Sequence, residues 1–246
     1  AALYQFVWGT YCDWYLEFIK PALQGDEGAE KTETQATAAW ALGQILHLMH
    51  PFMPFLTEEI WSLMAGPDSE MLITSRWPDL DQIAVDGTVA DDMDWTIRLI
   101  EQVRAVRAEM KLPAGAKIPM VLHGPNAQSV RRLTAHKEEI QRLARLDPVT
   151  TEDADAAVPE GAAQLVHDEC TIVLPLDGVI DIPQERARLE RERQKIADEI
   201  SGIEKKLANQ AFVAKAPEHV VAIQHERKTS AEATLAHLAE ALARLG

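Results

Sequence analysis

His47 and His50 stand three residues apart near the end of one helical pattern, a spacing that lets two imidazoles share a metal ion. No third ligand accompanies them, so a pair of helix-end histidines is the better reading. Glu58 and Glu59 suggest acid–base work, but two acids in a first helical turn are favoured simply by the positive end of the helix dipole. Cys12 and Cys170 are far apart, and make neither a disulfide framework nor a CxxC metal clip. There is no Gly-rich phosphate loop, nucleophile elbow or HExxH motif. No catalytic residue and no metal ligand is expected.

Cations offer a different chemistry. Arg98, Arg104, Arg107 and Lys111 fall on one helix and its exit, and Arg131, Arg132, Arg142 and Arg145 follow on the next pattern. A solvated helix face explains most such runs, but acidic flanks on both sides favour a phosphate-facing surface. A second group surrounds a turn: Lys205, Lys206, Asn209, Phe212 and Lys215, then Arg227 and Lys228 on the returning helix. Lysines around an aromatic suit an RNA backbone with an unstacked base. Phe212 packing the turn closed is an equal alternative. Between these groups, Arg186, Arg188, Arg191, Arg193 and Lys195 alternate with Glu190 and Glu192, which reads as a salt-bridged coil.

The elements that must position these residues are mostly helices. Tyr4, Trp8, Tyr11, Tyr15 and Phe18 recur at helical spacing, with Val7 and Trp14 widening the stripe, and aromatics so spaced are expected in a core. Pro21 and Gly25 are expected to close that helix. A second helix spans about 33–49 with Ala38, Leu42, Ile45, Leu46 and Met49 on one side, and His50-Pro51 breaks it. A third opens after Pro54 with Thr57 as N-cap, and a fourth near Asp91 carries Trp95, Leu99, Val103 and Val106. These four are expected to form a bundle.

After Pro113 the pattern changes. Ile118, Met120 and Leu122 alternate, with Pro119 suggesting an edge strand. Residues 126–146 read as one helix. Strands are expected at 165–166, 170–176 and 179–182 around an Asp177-Gly178 hairpin turn. From Gln184 to Asn209, Ile196, Ile200, Ile203 and Leu207 step by coiled-coil intervals, as do Leu235, Leu238, Leu242 and Leu245 after Pro217. An antiparallel hairpin within one chain is more economical than a long dimer, so a monomer is expected.

The 246 residues, 47% hydrophobic and 26% charged, describe an ordinary folded protein of one or two domains. The chain opens at Ala1 directly against a helical pattern, which reads as a fragment. No stretch has the unbroken apolar length of a membrane helix, and a cytoplasmic setting is expected. The net charge of -15 opposes nucleic-acid binding only if taken whole. Residues 94–146 carry ten basic and five acidic side chains, and residues 184–246 carry eleven and ten. Phosphate binding depends on such local surfaces.

Four stretches resemble the valyl-tRNA synthetase family. Phe6-Val7-Trp8 followed by Cys12-Asp13-Trp14-Tyr15-Leu16-Glu17 resembles the first helix of its anticodon-binding domain. The run from His50-Pro51-Phe52-Met53-Pro54 through Glu58-Glu59-Ile60-Trp61 is similar to a segment shared by the valyl, isoleucyl, leucyl and methionyl class I enzymes. Arg104–Met110 and Asn209–Pro217 resemble the valyl enzyme more narrowly. An isoleucyl relative would bring a C-terminal cysteine cluster for zinc, which two cysteines cannot supply.

The resemblance implies a mainly α chain in three parts. Residues 1–113 would be a helical anticodon-binding domain, N-terminally truncated, 114–183 a small α+β linking domain, and 184–246 an antiparallel coiled-coil arm reaching the outer corner of tRNA(Val). It implies that chemistry lies upstream, in catalytic and editing domains of the same polypeptide that use ATP and Mg. The HIGH-like and KMSKS-like signatures of that chemistry are absent here, so no cofactor is expected in this segment. With tRNA as the partner, the cations read above are the expected contacts: Lys205, Lys206, Asn209, Phe212, Lys215, Arg227 and Lys228 on the arm, with Arg98, Arg104, Arg107 and Lys111 on the body. The competing reading is a coiled-coil protein-interaction module without RNA binding.

Overall fold

A computed structural model describes residues 1–66, 68–81, 83–84, 86–209 and 218–244. It divides into two compact units, Ala1–Gly87 and Thr88–Gly246.

The first unit is helical. α1 (Ala2–Gln5) runs into a π-helical stretch, Phe6–Tyr15, and then α2 (Leu16–Gln24). The wider winding shows in the Leu16 N–H, which donates to the Tyr11 carbonyl five residues back. Pro21 does not end α2, because proline removes one donor while its φ still fits a helix; Gly25 is the C-cap. α3 (Ala29–Met49) starts four residues before the expected Glu33, with Gly28 as its N-cap and the Thr32 hydroxyl on the Gly28 carbonyl. α4 (Pro54–Ala65) begins at Pro54, which suits a first helical position whose N–H has no partner anyway. Thr57 is therefore not the N-cap; it is buried one turn in and donates to the Met53 carbonyl at 2.9 Å.

The aromatic stripe is not a core. Tyr11 is 8% exposed, but Tyr4 is 64% and Trp8 is 55% exposed. The apolar centre of this unit lies instead on α3 and α4, where Ile45 and Leu46 are buried and Gly43 faces the rings and methyls of Trp61 and Met64.

The second unit is built on a sheet. α5 (Gly87–Glu109) buries Trp95, Leu99, Ile100, Val103 and Val106 along one face. Among the described residues one four-stranded sheet forms, in the order β2-β1-β4-β3. β1 (Ile118–His123) pairs in parallel with β2 (Leu146–Glu152) and antiparallel with β4 (Cys170–Pro175), which pairs antiparallel with β3 (Ala162–His167). The parallel crossover carries α6 (Ala127–Ala135) and α7 (Lys137–Ala144). One helix was expected here; His136, at φ -113° and ψ 23°, breaks it into two.

Three strand expectations change. β1 is interior rather than an edge, and Pro119 is tolerated because the β1–β2 register shifts between Ile118 and Met120. β2 forms where no strand was expected, as an edge strand that can carry Pro148, and the strand expected at 179–182 does not form. The hairpin turns at Asp168-Glu169, with His167 paired to Cys170 and Asp168 at φ 51°, not at Asp177-Gly178. The latter is a turn into the arm, where Asp181 caps the next helix by accepting from the Gln184 N–H at 2.9 Å.

That helix is α8 (Ile182–Ala208), and α9 (Glu218–Arg244) returns beside it. The two make the most extensive helix pairing in the chain. Leu189, Ile203, Ala231 and Ala241 are buried in the seam, and Ile196, Ile200, Leu235 and Leu238 are half-buried. Pairs Arg227–Glu199 and Lys228–Glu204 join the two helices across the seam, and Arg188 near the start of α8 and Arg244 at the end of α9 both meet Glu109, so the hairpin is antiparallel.

Candidate nucleic-acid interface

The cations of the body are engaged within the fold. Arg98 donates from Nη1 and Nη2 to both carboxylate oxygens of Asp168, at 2.7 and 3.0 Å. Arg104 Nε donates to the Leu143 carbonyl at 3.0 Å. Arg107 is 9% exposed and donates to the carbonyls of Arg145, Pro113 and Ala116 at 3.4, 3.0 and 2.8 Å. Burial pushes its guanidinium pKa down, and Arg145 nearby adds to that. A planar fork serves several carbonyls at once, which explains arginine at these positions. Lys111, just beyond α5, reaches Glu192 of α8 at 3.7 Å. Arg132 and Arg131 both face Asp92, at 2.6 and 3.4 Å, and these bonds hold its carboxyl below the usual range.

The arm is different. Lys205 and Lys206 end α8, are exposed, and their side chains make no hydrogen bond or ion pair with any described residue. Asn209 is the exposed C-cap of α8, its N–H on the Lys206 carbonyl at 3.2 Å. Lys228 reaches Glu204 at 2.7 Å and Glu232 at 3.5 Å, which places it across the hairpin from the residue next to Lys205. Arg227 faces Glu199 at 3.4 Å, nearer the body. Phe212 and Lys215 lie outside the described residues. Lysines at a helix C-terminus are held up by the negative end of the dipole without losing their reach into solvent.

The residues that suggested catalysis are latches. His47 bridges the Gly43 carbonyl, 2.7 Å from Nδ1, and the Ser75 hydroxyl, 2.9 Å from Nε2. His50 Nδ1 lies 2.8 Å from the Thr57 hydroxyl. Glu58 accepts from the Leu72 and Ile73 N–H groups at 2.7 and 3.0 Å, and Trp61 Nε1 donates to the Glu70 carbonyl at 2.9 Å. Together these fasten residues 70–75 to α3 and α4. Among the described residues no group of three or more His, Cys, Asp or Glu is arranged to hold a metal. Burial and a bond to Glu169 push the Cys170 thiol up to about 11, the opposite of an activated nucleophile.

One feature escaped sequence reasoning. Phe52, Phe55 and Leu56 stand exposed around the α3–α4 turn, Phe55 at 91%. The signal was present as Phe52 set between Pro51 and Pro54, with Phe55 directly after.

Residues 1–122 match the family model described as the anticodon-binding domain of tRNA ligase, and residues 181–246 match the one described as the valyl tRNA synthetase tRNA binding arm. Valine–tRNA ligases align over the whole chain. That of Brucella suis biovar 1 is 45% identical over 100% of this chain, that of Caulobacter vibrioides 45% over 100%, and that of Zymomonas mobilis 43% over 99%. The chain belongs to the valyl-tRNA synthetase family. It spans about a quarter of those relatives, 27%, 27% and 28% of their length, and corresponds to a C-terminal part of them. Its two matched regions are those the family models describe, an anticodon-binding domain and a tRNA-binding arm. The anticodon-binding match runs through α5 to residue 122, although α5 groups with the sheet in the compact second unit. Among the described residues no helix is long and apolar enough to cross a membrane.

Proposed function

We propose that this region holds tRNA(Val) while catalytic and editing domains elsewhere in the same cytoplasmic polypeptide, using ATP and Mg, attach valine. The observation that carries this reading is the match of residues 181–246 to a tRNA-binding arm whose end bears two lysines without a partner among the described residues. We divide the chain into the anticodon-binding domain 1–113, the linking domain 114–183 and the arm 184–246, acting as one monomer. The two family matches support this by leaving residues 123–180 between them.

Lys205, Lys206 and Asn209 are the proposed phosphate or outer-corner contacts, joined by Phe212, Lys215, Arg227 and Lys228. Lys228 and Arg227 must exchange a carboxylate for a phosphate to take part, so they contribute less per charge than the two lysines. Arg98, Arg104, Arg107 and Lys111 act on tRNA only through the fold they brace.

The test is a titration of the chain with tRNA(Val) and with other tRNAs across salt concentrations. RNA contact releases counterions, so log affinity falls linearly with log salt. A salt-independent or absent interaction with every tRNA would sink the reading and favour protein docking. Valine-dependent pyrophosphate exchange by this chain alone would overturn the assignment of chemistry to other domains.

A further inference from the structure

Both helices of the arm are tied to one residue of the body. Glu109 ends α5, and its two polar groups face different arm helices. Its backbone carbonyl accepts from Arg188 Nη2 on α8 at 3.2 Å. Its carboxylate is ion-paired with Arg244 on α9. Arg188 lies two turns into α8 and Arg244 is the last residue of α9, so both contacts sit at the body end of the hairpin. Arg188 is itself held by Glu185 and, at 2.7 Å, by Glu192, which Lys111 also reaches. Glu109 and Arg244 are 23% and 27% exposed, so solvent screens them less than a surface pair. Glu109 contributes nothing to the α8–α9 seam; its contacts cross from α5 to the arm.

The arm is a lever. At 27 residues, α8 is about 40 Å long. A tilt of roughly 10° at its base moves its far end by about 7 Å, more than twice a hydrogen-bond length. Free swivelling would add an ordering cost to every encounter. A grip at the far end therefore needs a direction set at the near end.

The geometry points to Glu109 as a positioning residue: its carbonyl holds α8, its carboxylate holds α9, and together they aim the arm at the tRNA. This rests on the reading of the arm as a tRNA grip. The Glu109 carboxylate meets Arg244 and its backbone meets Arg188, so the residue acts through the two arm helices.

Spin labels at Thr134→Cys on α6 and Ser201→Cys on α8, both exposed positions, report the body-to-arm distance in the 246-residue chain with Cys12→Ser. Without RNA, one narrow distance distribution is expected. Glu109→Ala broadens it about twofold, Arg244→Ala does the same, and the double variant broadens no further because both changes remove one ion pair. Helix content by circular dichroism stays unchanged. Should the alanine variant unfold, Glu109→Gln removes the charge while keeping an acceptor, and a smaller broadening is expected. An unchanged width, or broadening that adds in the double variant, overturns the proposal. Titration of the same proteins with tRNA(Val) separates it from the grip itself. Broadening with about fivefold weaker binding supports both, as one partly buried ion pair is worth up to that factor. Broadening with unchanged affinity leaves the positioning role standing and sinks the grip.

Discussion

On α5, Arg98 faces Asp168, Arg104 faces the Leu143 carbonyl and Arg107 is enclosed by three more carbonyls. At the far end of the arm, the ammonium groups of Lys205 and Lys206 bond to no described residue. The two regions supply similar raw material, and the body segment has the larger positive excess: ten basic and five acidic residues in 94–146 against eleven and ten in 184–246. Net charge along a sequence therefore does not report availability. A guanidinium fork is suited to tie strands, turns and helix ends together from a half-dry position, whereas an ammonium on a flexible stem is suited to an exposed tip. The named body cations bond within the fold, and the two lysine side chains do not, which is what the proposed tRNA grip draws on.

The contrast predicts that body changes act on stability, and arm-tip changes on binding. Trp95 is fully buried against His167, with ring centroids 4.8 Å apart, and under Arg132 at 5.9 Å. Trp95→Ala is expected to destabilise the second unit by about 3–5 kcal/mol in denaturant unfolding. Leu235→Asp, in the α8–α9 seam, is expected to cost about 2–4 kcal/mol, confined to the arm. Hydrogen exchange should then quicken in α8 and α9 while β1 and β4 stay protected. Equal quickening in the strands would show that arm and sheet do not open separately.

A smaller effect follows from pH. Burial holds the His167 imidazole below its ordinary value of 6.5, against the pull of Asp168. Its Nδ1 lies 2.9 Å from Gln102 Oε1, and its Nε2 has no partner among the described residues. Both folded and unfolded states are neutral above 6.5, so its contribution to stability is full there. It is lost as pH falls below that value, because the unfolded chain takes up the proton first. The melting temperature should drop as pH is lowered from about 7.5 to about 5.5, and His167→Gln should flatten the drop. Smallest of all is Arg98→Ala. Its pair with Asp168 is half-exposed, and a loss of at most about 1 kcal/mol is expected in the same unfolding assay.

Helix positions and the antiparallel arm were legible because apolar spacing alone specifies them. The seam of Ile196, Ile200 and Ile203 against Leu235 and Leu238 reads directly from the steps between residues. The sheet was less legible. β2 holds Pro148 at an edge and β1 holds Pro119 at a register shift, and whether a strand is an edge depends on neighbours distant in sequence. Asp177-Gly178 looked like the hairpin turn, yet Asp168 took the left-handed position because pairing of His167 with Cys170 fixed the register. Along the first helix, α-helical spacing did not show that Phe6–Tyr15 winds as a π-helix, and Trp8, expected inside, is exposed. The candidate site was half legible for the same reason: residue type shows what a side chain can bond to, while its partners, Asp168 for Arg98 or Glu204 for Lys228, lie across the fold.

The most direct test compares two double variants in tRNA(Val) titrations at several salt concentrations: Lys205→Ala with Lys206→Ala, and Arg98→Ala with Lys111→Ala. Removing one phosphate-binding cation should lower the salt slope of log affinity by about 0.7 to 0.9. The expected result is a slope flatter by roughly 1.4 to 1.8 for the arm pair, with an unchanged melting temperature, and an unchanged slope for the body pair. A body pair that flattens the slope while the arm pair leaves it alone would contradict the division between shape-holding and tRNA-gripping cations.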